Sequence, residues 1–233
     1  MKHIVAVFVM ALVFAAVHPA KAQTDVQVVP VIQAPYHLPV FKNDYITMVN
    51  IYIPPGGRTG FHKHTGEAVS VNIEASDMKN QELGEQPEAP SRNQPGRVTY
   101  RDYRPKPRIH QEINLGSTVF HNVLFIFNSP TPGGFAPSSR ADVTAYEQVL
   151  DNARVRGWRI VLAPGQSAAP ITQMAPGFRI IVKGGPIVES VPGQPERAMD
   201  PRSGEFYWQD SGVTRSLRNT GSTPIEFVEF ELK

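Results

Sequence analysis

His62 and His64 stand two residues apart, so on a β-strand both imidazoles point to the same face, which is what chelation of one ion requires. A third histidine, His110, opens the segment that runs to Asn114 and Gly116, and closure of a barrel would bring it opposite the pair. Arg108 and Glu112 flank His110 at two residues on either side and share its face on a regular strand, although Pro107 interrupts that regularity. Arg108 would then clamp a substrate carboxylate, and Glu112 would act as a base or an extra ligand. His121, further on, reads as a structural histidine. The sequence has no Cys, which excludes thiol nucleophiles, thiolate zinc sites, iron–sulfur clusters and disulfides. Any metal here is held by nitrogen and oxygen.

The elements that must position these residues are strands. Eighteen Gly and 22 Pro in 233 residues argue for many turns and against a helical bundle. Ile46 to Ile53 alternates in part and stops at Pro54, Pro55, Gly56 and Gly57; Trp158 to Leu162 stops at Pro164 and Gly165 in the same way. Val69, Val71 and Ile73 alternate with Ser70, Asn72 and Glu74, and Val119 to Phe127 and Ile225 to Leu232 read as closing strands. Ala75 to Arg97 is polar and Pro-rich and reads as a long loop, and Ser129 to Arg140 as a linker.

A shift of 109 residues lays Val40, Asn43, Ile51, Pro55 and Gly56 on Val149, Asn152, Ile160, Pro164 and Gly165. A shift of 105 lays Asn114, Gly116, Ser117 and Thr118 on Asn219, Gly221, Ser222 and Thr223. Self-similarity at this period implies a duplicated, domain-sized unit. The expected architecture is all-β: a leader over 1–22, a barrel over 23–128, a linker over 129–139 and a second barrel over 140–233.

The leader is a secretory signal peptide: Lys2 and His3, an apolar run from Ile4 to Val17, and a small-x-small cleavage site ending at Ala22. The mature chain then begins at Gln23 and is periplasmic or secreted, with no membrane anchor. Loss of Lys2 and Lys21 from 23 Lys+Arg leaves the mature chain balanced against 21 Asp+Glu, with no general pull on nucleic acid. The basic stretch from Arg101 to Arg108 reads as a solvated strand and turn.

Gly56, Gly57, Gly60, His62, His64 and Glu67 resemble the first motif of the cupin superfamily. Pro105, Pro107, His110 and Asn114 resemble its second, Pro-x-Gly-x-x-His-x-x-x-Asn, with Pro107 where the motif has Gly. With the repeat, the resemblance spans nearly all of the mature chain and implies a bicupin: two tandem double-stranded β-helix, or jelly-roll, barrels. It further implies a metal held by His62, His64, a glutamate and His110. That glutamate usually stands four residues after the second histidine, where this chain has Ala68, and Glu67 stands three after it. A one-residue offset reverses the facing of a strand residue unless the turn at Thr65 and Gly66 resets the register. Without Glu67, the three histidines resemble the site of thiol dioxygenases in the same superfamily. In the second unit His62, His64, Glu67 and His110 fall on Ile171, Gln173, Pro176 and Arg215, so that barrel is read as structural, with an alternative in which Arg215 and Gln173 bind an anion.

These residues imply an exported enzyme with one divalent transition metal, iron first and Mn, Zn, Ni or Cu otherwise, acting on a small organic molecule. Iron implies dioxygenase chemistry, and a redox-inert ion implies lyase or isomerase chemistry. The alternatives are a non-catalytic small-ligand-binding or sensor cupin, and an assembly unit. Bicupins resemble duplicated cupin dimers, which leaves a homo-oligomer open.

Overall fold

The structure, a computed structural model, describes residues 26–233, so the expected leader and its cleavage site lie outside the described residues. From Val28 to Phe127 the chain forms β1 (Val28–Pro30), β2 (His37–Lys42), β3 (Ile46–Ile53), β4 (Phe61–His64), β5 (Glu67–Glu74), β6 (Asp77–Glu82), β7 (Ser91–Arg92), β8 (Val98–Asp102), β9 (Arg108–Asn114) and β10 (Phe120–Phe127). These pair as two sheets, β1-β4-β9-β6-β7 and β2-β3-β10-β5-β8. The rest forms β11 (Tyr146–Asp151), β12 (Val155–Leu162), β13 (Ser167–Thr172), β14 (Gly177–Lys183), β15 (Ile187–Ser190), β16 (Arg197–Met199), β17 (Phe206–Gln209), β18 (Thr214–Asn219) and β19 (Ile225–Leu232). They pair as β11-β12-β19-β14-β17 and β13-β18-β15-β16. Pairing is antiparallel except between β1 and β4.

Residues aligned by the repeat do the same work in both halves. Asn43 Oδ1 accepts the backbone N–H groups of Tyr45 and Ile46, and Asn152 Oδ1 those of Arg154 and Val155. The buried Asn114 amide donates to the carbonyls of Ile53 and Thr118, and the buried Asn219 amide to those of Leu162 and Thr223. Gly56 and Gly165 both sit at positive φ, 73° and 76°, which a side chain would strain. Their N–H groups donate to the Asn114 and Asn219 carbonyls.

The alternation of β3, β5 and β10 sorts their residues onto two buried faces. Met48, Val69, Val71, Val123 and Phe125 face the other half and pack with Val155, Phe178, Ile180, Val228 and Phe230. Phe125 sets its ring against Phe178 and Phe230 at centroid distances of 4.6 and 5.0 Å. Each such aromatic contributes roughly 1.5–3 kcal/mol of burial, so this shared core fixes the outer face of the sheet. The opposite parity, Val49, Ile51, Phe120 and Leu124, faces into the first barrel.

One expectation is corrected. Ala75 to Arg97 is not an unstructured loop: it contains β6 and β7, and β6 pairs with β9 from Met78 opposite Asn114 to Glu82 opposite His110. Its polarity hid it, because Asn80 on this strand lines a polar cavity rather than a hydrophobic core.

Candidate metal centre

Strands β4 and β9 run side by side with His62 opposite His110 and His64 opposite Arg108. The period of two turns His62 and His64 inward around the exposed Lys63. All three imidazoles are buried, with exposures of 0%, 8% and 4% for His62, His64 and His110. One nitrogen from each lies within 4.8 Å of the others. His64 Nε2 and His110 Nε2 are 3.1 Å apart, while His62 Nε2 is buried without a partner.

This donor set fits a transition-metal ion. Two nitrogens bound at about 2.1 Å and at right angles lie about 3 Å from each other, the separation seen between His64 and His110. His62 Nδ1 lies 3.2 Å from the Gly60 carbonyl; as the donor there it leaves the Nε2 lone pair free, the usual outer-shell arrangement of a ligating histidine. Burial holds the His62 imidazole down to about 4, with neighbouring His37 adding to the shift. Burial again, then His62, holds His64 down to about 3, and burial followed by the Arg108 charge lowers His110. All three are therefore neutral at neutral pH, the form that binds metal.

Glu67 does not join them. As the first residue of β5 it has the parity of Val69 and Val71 and faces away from the cavity, while Ala68, in the position four after His64, shares the inner parity with Ser70 and Asn72. The Thr65–Gly66 turn does not reset the register. The buried Glu67 carboxylate accepts a 2.5 Å hydrogen bond from the Tyr100 hydroxyl and pairs with Arg104 at 2.9 Å and Arg154 at 3.2 Å. It ties the two halves together.

A cavity of about 230 Å³ opens beside the imidazoles, lined by Asn72, Asn80, Thr99, Arg101, Arg108 and Glu112 among others. Arg108 and Glu112 thus share the inner face with His110 despite Pro107. Arg108 is anchored through Nε to Glu82 at 2.5 Å. Burial raises the Glu112 carboxyl to about 7, against the opposing Arg108 charge. Arg101, expected on a solvated strand, is exposed but also reaches the cavity.

His37 was not legible as a site residue, having no motif and standing 25 positions before His62. It is buried on β2 with its ring 4.9 Å from that of His62. His121 is structural: it stacks on Tyr52 at 4.0 Å and faces Gly204, where a Cβ would strike its ring.

The second barrel is filled. Fully buried Arg140 pairs with Glu229 at 2.5 Å and Glu231 at 2.7 Å and lies 4.0 Å over the Trp158 ring. Arg179 pairs with Glu229 and Glu189. Gln173 is occupied by Arg140 and the Ala175 carbonyl. The space left between Gln173 and Arg215 is about 10 Å³, room for a water at most, so the alternative of an anion site there is not formed.

No family model matches the sequence, and no curated protein matches it. Solved structures do match. AerE from Microcystis aeruginosa aligns over 86% of this chain and 98% of its own, with a TM-score of 0.57 and 11% identity. Salicylate 1,2-dioxygenase from Pseudoaminobacter salicylatoxidans, a point mutant in complex with gentisate, aligns over 84% of this chain and 73% of its own (TM-score 0.56, 12% identity). A cupin 2 conserved barrel domain protein from Leptotrichia buccalis aligns over 84% and 88% (TM-score 0.51, 6% identity). At these identities the likeness is one of fold.

Proposed function

Because this chain has the cupin fold, an all-β arrangement of jelly-roll barrels, we propose that it is a mononuclear-metal enzyme acting on a small organic molecule, with dioxygenase chemistry first. The observation that carries the reading is the set of three buried, neutral imidazoles beside a polar cavity. His62, His64 and His110 would hold the ion, with iron the first candidate and Mn, Zn, Ni or Cu suited to the same donors. A redox-active ion supplies electrons to dioxygen, and a redox-inert one supplies Lewis acidity.

The chain's own residues do the rest. Arg108, held in place by Glu82, presents a fixed positive charge to an anionic substrate group. Glu112, raised to about 7 by burial in the metal-free site, offers its carboxyl either to a proton or to the ion. The cavity gives room for a molecule the size of a small aromatic or aliphatic acid.

The test is metal content per chain of the mature protein and of His62→Ala and His110→Ala, followed by oxygen consumption with gentisate and salicylate. The expected result is near-stoichiometric metal that both substitutions abolish. Absence of metal after anaerobic reconstitution would sink the enzyme reading. Withdrawal of Glu67 from the site favours a second reading, in which the cavity binds a small ligand without turnover. We also propose that the protein is exported, to the periplasm or beyond, on the strength of its first 22 residues; N-terminal sequencing of the exported chain checks this by finding Gln23.

A further inference from the structure

His37 and His62 share an arrangement that the triad alone does not explain. Each has Nδ1 close to the carbonyl two residues before it, Pro35 at 3.1 Å and Gly60 at 3.2 Å. In each the Nε2 atom is buried without a hydrogen-bond partner. With Nδ1 donating its proton, Nε2 carries the lone pair, so two deeply buried acceptors stand unsatisfied in neighbouring rings. An unpaired buried nitrogen costs on the order of a lost hydrogen bond, unless something in the site completes it.

Glu112 brings a carboxylate to the same place. One donor atom from each of His37, His62 and Glu112 lies within 4.8 Å of the others. Donors on opposite sides of a first-row ion are about 4 Å apart, close to the spread of these three atoms. Charge makes the same demand: three neutral imidazoles leave a buried divalent ion without a counter-charge, and Glu67 is committed to Arg104 and Arg154.

We propose that the ion bound through His62 is also ligated by His37 and Glu112, so that a histidine from β2 and a carboxylate from β9 replace the glutamate that Glu67 does not supply. This rests on the reading that the first barrel binds a divalent transition metal. His37 then couples the β2 edge of one sheet to the β4–β9 pair of the other through the ion.

Cobalt(II) titration of the metal-free protein tests it, read by visible absorption and affinity, with oxygen consumption not required. The variants are His37→Asn, Glu112→Gln and His62→Ala. Asn at position 37 keeps a side-chain donor for the Pro35 carbonyl and removes Nε2, and a thermal melt of each metal-free variant confirms folding. The expected result is that His37→Asn and Glu112→Gln each weaken cobalt binding at least about tenfold and alter the d–d bands. Wild-type affinity and spectrum in folded His37→Asn, with binding lost in His62→Ala, would overturn the proposal and leave the triad intact. No cobalt binding by the wild type would instead overturn the metal reading itself.

Discussion

Replacing Glu67 with Ala separates its structural role from the ligand role that the family resemblance suggests for a glutamate here. The carboxylate is 3% exposed and accepts the Tyr100 hydroxyl, with two guanidinium groups beside it. Arg104 is 44% exposed, so solvent screens that pair and its loss contributes little. Arg154 is 5% exposed and faces Glu67 Oε2 at 3.2 Å as a charge pair rather than an aligned hydrogen bond. Stranding a buried charge of this kind costs about 3–5 kcal/mol, and the lower end applies because Arg154 also donates to the Ser129 carbonyl and lies over the Phe127 ring. We therefore expect a loss of about 3 kcal/mol, which for a chain of this size is a fall in Tm of roughly 6–12 °C. Urea and thermal unfolding measure that loss, and metal analysis of the same samples measures occupancy. Unchanged stability with lost metal would refute the reasoning and return Glu67 to the ligand set.

Four further outcomes follow from the same structure. His62 and His64 titrate in the folded state at about 4 and about 3, below the free value near 6.5, so below that value the unfolded chain takes up protons that the folded chain does not. Stability of the metal-free protein is thus fully present above about pH 6.5 and falls by about 1.4 kcal/mol per pH unit per histidine toward pH 4; urea midpoints at pH 7.5, 5.5 and 4.5 measure it, and His62→Ala should flatten the slope. Asn114→Ala and Asn219→Ala should each cost about 1–3 kcal/mol, since each strands one buried carbonyl, that of Ile53 or Leu162, and loosens a second, more exposed one at the same turn; a loss under about 1 kcal/mol in either would contradict the matched-turn account. Arg140→Ala should destabilise by about 3–5 kcal/mol through the stranded Glu229 and Glu231, leaving metal stoichiometry unchanged in the folded fraction. Arg108→Lys should leave metal binding within about twofold and weaken binding of small carboxylates about tenfold or more, by calorimetry, because a point charge does not reproduce the guanidinium fork.

Where the sequence was legible, a local signal and the tertiary demand agreed. The closing strands β10 and β19 are rich in apolar residues because both of their faces are buried; the turns at Asn43 and Asn152 need a side-chain acceptor, and those at Gly56 and Gly165 need a positive φ, in both halves. His62, His64 and His110 were legible because period-two spacing and strand pairing bring them together. Glu67 could enter the ligand set only if the turn at Thr65 and Gly66 shifted the register, and whether a turn does so is settled by strand pairing rather than by local sequence; without that shift the inward position falls to Ala68. β6 was missed because hydropathy reads a strand facing a polar cavity as a loop. His37 left no trace because its contact with His62 depends on how β2 closes over the other sheet, a long-range fact that no window of sequence contains. The filling of the second barrel was equally out of reach, since Arg140, Glu229 and Glu231 lie far apart in the chain.

The aromatic seam around Phe125, Phe178 and Phe230 also bears on what dilution can do to this molecule. Two separate barrels joined by such a seam would obey mass action, parting as their concentration fell and exposing the wall opposite the imidazoles. Here both sides of the seam belong to one polypeptide, so each meets the other at an effective concentration set by the connecting segment alone. The metal-bearing half therefore keeps its buttress at any protein concentration, and the other half, relieved of chemistry, is free to fill its interior with ion pairs.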